Sequence, residues 1–308
     1  MSAVTNAVAT QGPGQRDRGP NTDKLGWLLV APAGIIILVL VLYPSVVSLI
    51  GSLAHYSLTD QDRSFVGIRN YVDVLTDTAF QRSAVVTFKY FVAISVGVLV
   101  VGLGIALWLQ TLEGRVRGLA LCVIILPWAV PGTVSGLLWS FIFKPTGSGL
   151  LNSILASLHL IGVDQAWLNM PTLGPLLISL TVIWSGAPLG VVIFLAALEG
   201  IPGSLYEQSL LDGAGPIRRF WEISLPLLRP AIGIVLVNAA TLAIGLFDQV
   251  YVLVGVDPSK MTIAGSMYLY AFRDFNFGLG FASAVVAVLV TTLIAVVYLK
   301  GVYREVEF

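Results

Sequence analysis

Apolar and polar positions alternate along the 308 residues in long blocks, giving six apolar windows at roughly 25–54, 84–109, 119–143, 172–198, 231–254 and 280–300. About 20 apolar residues carry a helix across the hydrocarbon core of a bilayer. Each window therefore predicts a membrane-spanning helix, and the chain an all-α polytopic membrane protein. Pro32, Pro44, Pro127, Pro131 and Pro188 interrupt the windows. Membrane helices tolerate proline where neighbours satisfy the freed carbonyls, so kinked helices around a shared interior are expected. Residues 1–24 are polar and rich in Gly, Pro and Thr; they cannot bury apolar surface and read as a disordered tail. The first window is far longer than the ~7–15-residue apolar region of a secretion signal, which predicts an uncleaved first helix. Residues 25–308 then form one transmembrane domain.

Composition agrees, with 56% hydrophobic and only 11% charged residues, where soluble domains carry about 25% charged. The formal net charge is zero, so no basic nucleic-acid footprint exists. Cys122, the single cysteine, lies in an apolar run, so there is no disulfide framework. His55 and His159 fall in different polar segments and no metal-ligand spacing occurs.

Lys and Arg near the helix ends give the orientation. One side holds Arg16, Arg18, Lys24, Arg115, Arg117, Arg218, Arg219, Arg229, Lys300 and Arg304; the other holds Arg63, Arg69, Arg82, Lys89, Lys144, Lys260 and Arg273. That bias of ten to seven puts both termini and the loop 199–230 on the cytoplasmic side. The outer loops are then about 55–83, 144–171 and 255–279. "SFVGIRNYVDVLTDTAF" in the first of them has the pattern of an amphipathic surface helix. Trp128, Trp139, Trp167 and Tyr251 are candidate interfacial anchors.

The loop 199–230 is longer than a membrane hairpin needs. "SLYE" at 204–207 has the form of a capping box, in which Ser204 would cap a helix and Glu207 reach back to it. Asp212-Gly213 should end that helix, with Gly213 suited to a left-handed conformation. Pro216 fits the first turn of a second helix carrying Arg218, Arg219, Phe220, Trp221 and Ile223, which Leu225-Pro226 would stop. A capped connecting loop accounts for the geometry; its length and its aromatic residues point instead to a docking knob.

This segment, "YEQSLLDGAGPIRRFWEISLPLLRP", resembles the coupling loop of inner-membrane permease subunits of bacterial ATP-binding-cassette importers. The family motif is E-A-A, two residues, D-G-A, five residues, F, two residues, I-x-L-P, three residues, P. The chain matches it at Glu207, Asp212, Gly213, Ala214, Phe220, Ile223, Leu225, Pro226 and Pro230, and departs from it at Gln208 and Ser209. "FVGIRNYVDVLTD", "LPWAVPGTVSGLLWSFIF", "GLLNSIL", "IWSGAPLGVVIFLAALEGIPGSLYE" and "FDQVYVLVG" extend the likeness to the carbohydrate-importing branch, in particular to the larger permease of maltose-type pairs. The resemblance implies a plasma-membrane, non-catalytic subunit with Glu207, Asp212, Gly213, Ala214, Arg218, Phe220, Ile223, Leu225 and Pro226 coupling it to an ATPase. Its partners would be a second permease in a heterodimer, an ATPase dimer that binds ATP and Mg, and an extracytoplasmic solute-binding protein. The chain itself contains no G-x-x-x-x-G-K-[ST], the loop that cradles nucleotide phosphates, so the motor is expected on a partner and no cofactor on this chain.

Polar groups at membrane depth mark solute pathways. Asn238, Thr241, Gly245 and Asp248 fall at i, i+3, i+7 and i+10, one face of a continuous helix, with Gln249 beside them; Trp184, Ser185 and Gly186 lie in the fourth window. Aromatic platforms with amide and hydroxyl groups suit a sugar, whose ring has apolar faces and polar edges. The resemblance adds Leu189 to Ser185 and Gly186 as cavity-lining positions. Asn and Thr also serve simply to bond a neighbouring helix, at ~0.6 kcal/mol on average. Asn238 fits either role, and Asp248 fits a structural place near the outer end of its helix. The expected solute is an oligosaccharide, disaccharide, polyol or glycerophosphodiester. An ion-coupled secondary transporter would need mid-membrane carboxylates and inverted repeats, and a membrane enzyme a nucleophile–base pair; both leave the hinged loop unexplained.

Overall fold

The computed structural model describes residues 20–57, 59, 63–162 and 164–301; the expected tail falls almost wholly outside them. The described chain is helical, with two isolated bridges and no strand. It divides after Ser48 into two units.

The first unit is one apolar helical rod, α1 (Pro20–Ile37), a π-helical turn (Leu38–Leu42) and the start of α2 (Tyr43–Gly51). Its apolar side chains are exposed all round, Trp27, Val30, Ile35 and Leu40 among them, as expected of a helix solvated by lipid. The wide turn ends two residues before Pro44, and Ser45 Oγ donates to the Val41 carbonyl at 2.7 Å. A local π adjustment of this kind re-satisfies carbonyls that a proline frees.

The second unit contains α3 (Arg69–Thr76), α4 (Thr78–Gln110), α5 (Gly114–Ile125), α6 (Gly132–Ile142), α7 (Leu150–Ser157), α8 (Leu173–Glu199), α9 (Gly203–Leu211), α10 (Pro216–Arg219), α11 (Leu225–Leu227), α12 (Arg229–Ile244), α13 (Asp248–Val254), α14 (Ile263–Tyr268) and α15 (Phe277–Gly301). Among the described residues four helices are long and apolar enough to cross a membrane, and two bent pairs raise the number to six. The third window is such a pair: the helix running to Ala129 and α6 meet at 98° across Val130-Pro131. The fifth window is likewise broken. The segment 216–227 and α12 meet at 68°, and α12 ends at Ile244, three residues before α13.

The core lies between α4, α8 and α12. On α4 the buried positions Ser83, Thr87, Tyr90, Ile94, Val98, Gly102, Ala106 and Leu109 recur every three or four residues, one face of a helix. Val85, Phe88, Val92, Val96 and Val100 on another face stay exposed. The close approach of α4 to α8 rests on small residues: a Cβ at Gly102 would sit 3.3 Å from the Gly190 carbonyl carbon and 3.4 Å from the Val191 nitrogen. Small residues let membrane helices approach to backbone contact. Segments expected outside do meet one another. Asn70 Nδ2 donates to the Ser52 and Ala54 carbonyls at 2.9 Å, the Gly278 N–H to Tyr56 at 3.0 Å, and the Tyr270 hydroxyl to Asp77. At another end, Arg117 pairs with Glu199.

Gly102→Leu should therefore lower the stability of the purified chain by ~1–3 kcal/mol, the usual cost of overpacking a tight contact, read as a fall in Tm in detergent. Gly104→Leu, where an added Cβ meets nothing within 4 Å, should leave Tm unchanged.

Candidate functional site

The hinged loop is built as two helical halves around one glycine. α9 starts at Gly203 after Pro202, so Ser204 lies inside the helix and no side chain caps it. The expected capping box is not formed: Pro202, extended and without an N–H, already delivers the chain into the first turn. At the other end Gly213 has φ +73°. The Ala214 N–H reaches the Ser209 carbonyl at 2.9 Å and the Gly213 N–H reaches Leu210 at 3.0 Å. These two bonds are the reciprocal pattern that closes a helix on a left-handed residue. Pro216 opens the second half as expected.

Leu225-Pro226 does not stop the second half. The chain passes through a π-helical turn (Phe220–Ser224) into α11, and the bend falls at Leu228. The π turn again precedes a proline by two residues and widens the coil where a normal turn would clash with the ring. Tyr206 Oη and Ser224 Oγ, 2.9 Å apart, tie the two halves together. Ala214 is buried; Phe220, Ile223, Leu225 and Pro226 are half-buried; Glu207, Asp212, Gly213 and Arg218 are exposed, with Arg218 Nε donating to Glu222 at 2.8 Å. Leu211 (89% exposed), Ile217 (75%) and Trp221 (62%) project apolar surface from this otherwise polar loop. The coupling candidates thus share one hinged, ordered element.

The second site is a cavity of about 290 Å³ where two helix breaks meet. Trp128, Val130 and Gly132 line it from the bend before α6; Gly245, Leu246, Phe247, Asp248 and Gln249 from the break between α12 and α13; Val182, Ser185, Gly186, Asn238 and Leu242 complete it. Five of the eight pathway candidates therefore come together: Ser185, Gly186, Asn238, Asp248 and Gln249. Trp184 lies outside, edge-on to Trp139 with ring centroids 5.8 Å apart. Leu189 is half-buried and outside the lining, and Thr241 donates its hydroxyl to the Val237 carbonyl at 3.0 Å. The continuous helical face expected from Asn238 to Asp248 does not exist, because α12 has ended. Asp248 is the first residue of α13, at a helix end as expected, and the break turns it into the cavity beside Asn238. Trp128 likewise lines the cavity, while Trp167 donates its indole N–H to Asn152 Oδ1 at 2.8 Å.

α6 and α13 hold the two breaks against each other. A Cβ at Gly136 would lie 3.0 Å from Val252 Cβ, and one at Gly132 3.5 Å from Asp248 Cβ. Gln249 Nε2 donates to Ser135 Oγ at 2.8 Å, both buried. The sequence reading overlooked Val130, Gly132 and Ser135. Pro131-Gly132 inside an apolar run was the available signal, since a proline and a glycine together mark a chain reversal better than a kink.

A family model described as "Binding-protein-dependent transport system inner membrane component" matches residues 98–306. The chain is 34% identical over 288 residues to the trehalose/maltose transport system permease protein MalF of Thermococcus litoralis, covering 92% of this chain and 95% of that one. It is 34% identical over 281 residues to the sulfoquinovosyl glycerol transport system permease protein SmoG of Agrobacterium fabrum, covering 90% and 89%. Among solved structures, a bacterial transporter that imports the acidic polysaccharide alginate superposes with a TM-score of 0.78 at 18% identity, over 93% of this chain and 98% of that one. At that identity the likeness concerns the fold.

Ser135→Ala should leave the buried Gln249 amide without its partner and cost about 0.6–1.7 kcal/mol, the range of side-chain hydrogen bonds between membrane helices. Chemical denaturation in mixed micelles would measure the loss.

Proposed function

Because the chain belongs to the family of binding-protein-dependent transport system inner membrane components, we propose that it forms half of a pathway for a sugar or sugar-like solute, driven by ATP hydrolysis on partner subunits. A second permease completes the pathway as a heterodimer. An ATPase dimer holding ATP and Mg docks on the hinged loop from the cytoplasm, where both termini also lie. An extracytoplasmic binding protein delivers the solute. The chain itself is not an enzyme.

One observation carries this reading. α12 is 16 residues long, ~24 Å at 1.5 Å per residue; it starts where the hinged loop ends and finishes at the cavity. Leu228, at the bend, is fully buried and belongs to the same core as Val235, Ala239 and Ala243 on α12. A displacement of the loop is thus delivered to the helix that carries Asn238, with little slack to absorb it, since close-packed interiors transmit strain. The cavity chemistry supports a sugar. Trp128 and Phe247 offer aromatic faces, and Ser185, Asn238 and Asp248 offer polar partners for hydroxyls.

Purified from its native membrane in mild detergent, the chain should retain a second six-span permease, an ATPase bearing G-x-x-x-x-G-K-[ST] and an exported binding protein. Gly213→Val, which forces a β-branched residue into φ +73° at ~1–2 kcal/mol, should insert normally, keep its partners and lose uptake. Recovery without any ATPase, or unchanged uptake in Gly213→Val, would contradict the reading.

A further inference from the structure

The cavity has a single formal charge. Its thirteen lining residues include one carboxylate, Asp248, and no Lys, Arg or His. Asp248 is exposed to the cavity, and neither it nor the Asn238 amide has a side-chain hydrogen bond or ion pair among the described residues. The other polar linings are already engaged: Gln249 donates to Ser135, and Ser185 Oγ donates to the Val182 carbonyl at 3.1 Å. A carboxylate that faces a cavity without a side-chain partner is free to accept hydrogen bonds from a solute.

We propose that Asp248 sets the charge selectivity of the pathway, admitting neutral or amino-bearing sugars and excluding acidic ones. The inference rests on the sugar-pathway reading above and narrows it. An ionised carboxylate only accepts hydrogen bonds, so the solute must bring donors to it: a pair of hydroxyls, or an ammonium. A uronate, sulfonate or phosphate brings a second negative charge into a space to which this chain supplies no cation. At an effective dielectric of about 20, two such charges several ångströms apart repel strongly enough to weaken binding about tenfold or more. This removes the glycerophosphodiester from the expected solutes.

Three probes of one ring size and different charge test it: methyl glucoside, glucosamine and glucuronate. Each is titrated by saturation-transfer NMR against the full-length chain, purified with the partners it retains in a detergent without a sugar headgroup. Glucuronate should bind at least tenfold more weakly than methyl glucoside, and glucosamine at least as well. In Asp248→Asn, glucuronate should come within about twofold of methyl glucoside, and glucosamine should lose its advantage. Asp248→Glu should keep the discrimination, which separates charge from local packing. Equal binding of glucuronate and methyl glucoside by the unaltered chain, or a penalty that survives in Asp248→Asn, overturns the charge filter alone. Saturation by none of the three probes overturns the sugar pathway and the filter together.

Discussion

No water reaches the hydrocarbon interior, so every backbone N–H and C=O there needs a partner within the protein, and a helix can open only where something else seals it. Among the described residues the chain opens at Val130-Pro131 and between Ile244 and Asp248, and it places these openings against each other. Several groups at both breaks find partners close by. The Val130 N–H bonds to Pro127 at 3.2 Å and the Ser135 N–H to Pro131 at 2.9 Å; the Gly245 N–H bonds to Thr241 at 3.0 Å and the Tyr251 N–H to Phe247 at 2.8 Å. The Leu246 carbonyl, freed in the middle of the second break, accepts the buried Thr262 hydroxyl. Gly132 and Gly136 let α6 and α13 approach closely enough to keep the pair together. The cavity is what remains between two breaks that seal one another's flanks.

The same constraint explains the different fates of the prolines. Pro44 and Pro226 each follow a π-helical turn by two residues; the helix runs on through Pro44, whereas after Pro226 it ends at Leu227 and turns by 68°. Pro131 has a glycine after it, and there the chain turns by 98°. Pro188 lies buried inside α8, where neighbouring helices cover it. Proline alone therefore does not decide between a kink and a break; the residue that follows and the packing around it do.

Much of this was legible in the sequence. Runs of apolar residues are long, and the hydrocarbon thickness is a fixed length, so the windows locate the membrane helices well. Gly213 and Pro216 were legible because φ constraints are properties of single residues. Three features were not. Ser204 satisfies a capping pattern, but whether a helix begins before or after it depends on Pro202. The break after Ile244 has no proline; Gly245 sits in an apolar run that reads as helix until the Thr262 hydroxyl, brought from a distant loop, replaces the missing bond. For the same reason the approach of Asp248 to Asn238 was misread as helical periodicity when it comes from a turn. Trp184 and Thr241 lie outside the cavity lining, and only packing reveals that.

The proposed solute path runs through the meeting of the two breaks. Asn238, on α12 beside the second break, is the position to interrogate, and the chain's single cysteine makes it accessible. With Cys122, which is exposed, changed to Ser, an Asn238→Cys variant in sealed vesicles can be treated with a membrane-impermeant thiol reagent from either face. Reaction from one face is expected in the resting state, with a change in rate or face when ATP and the delivering protein are supplied. A thiol at 238 that reacts from neither face, or at one unchanging rate in every state, would contradict it.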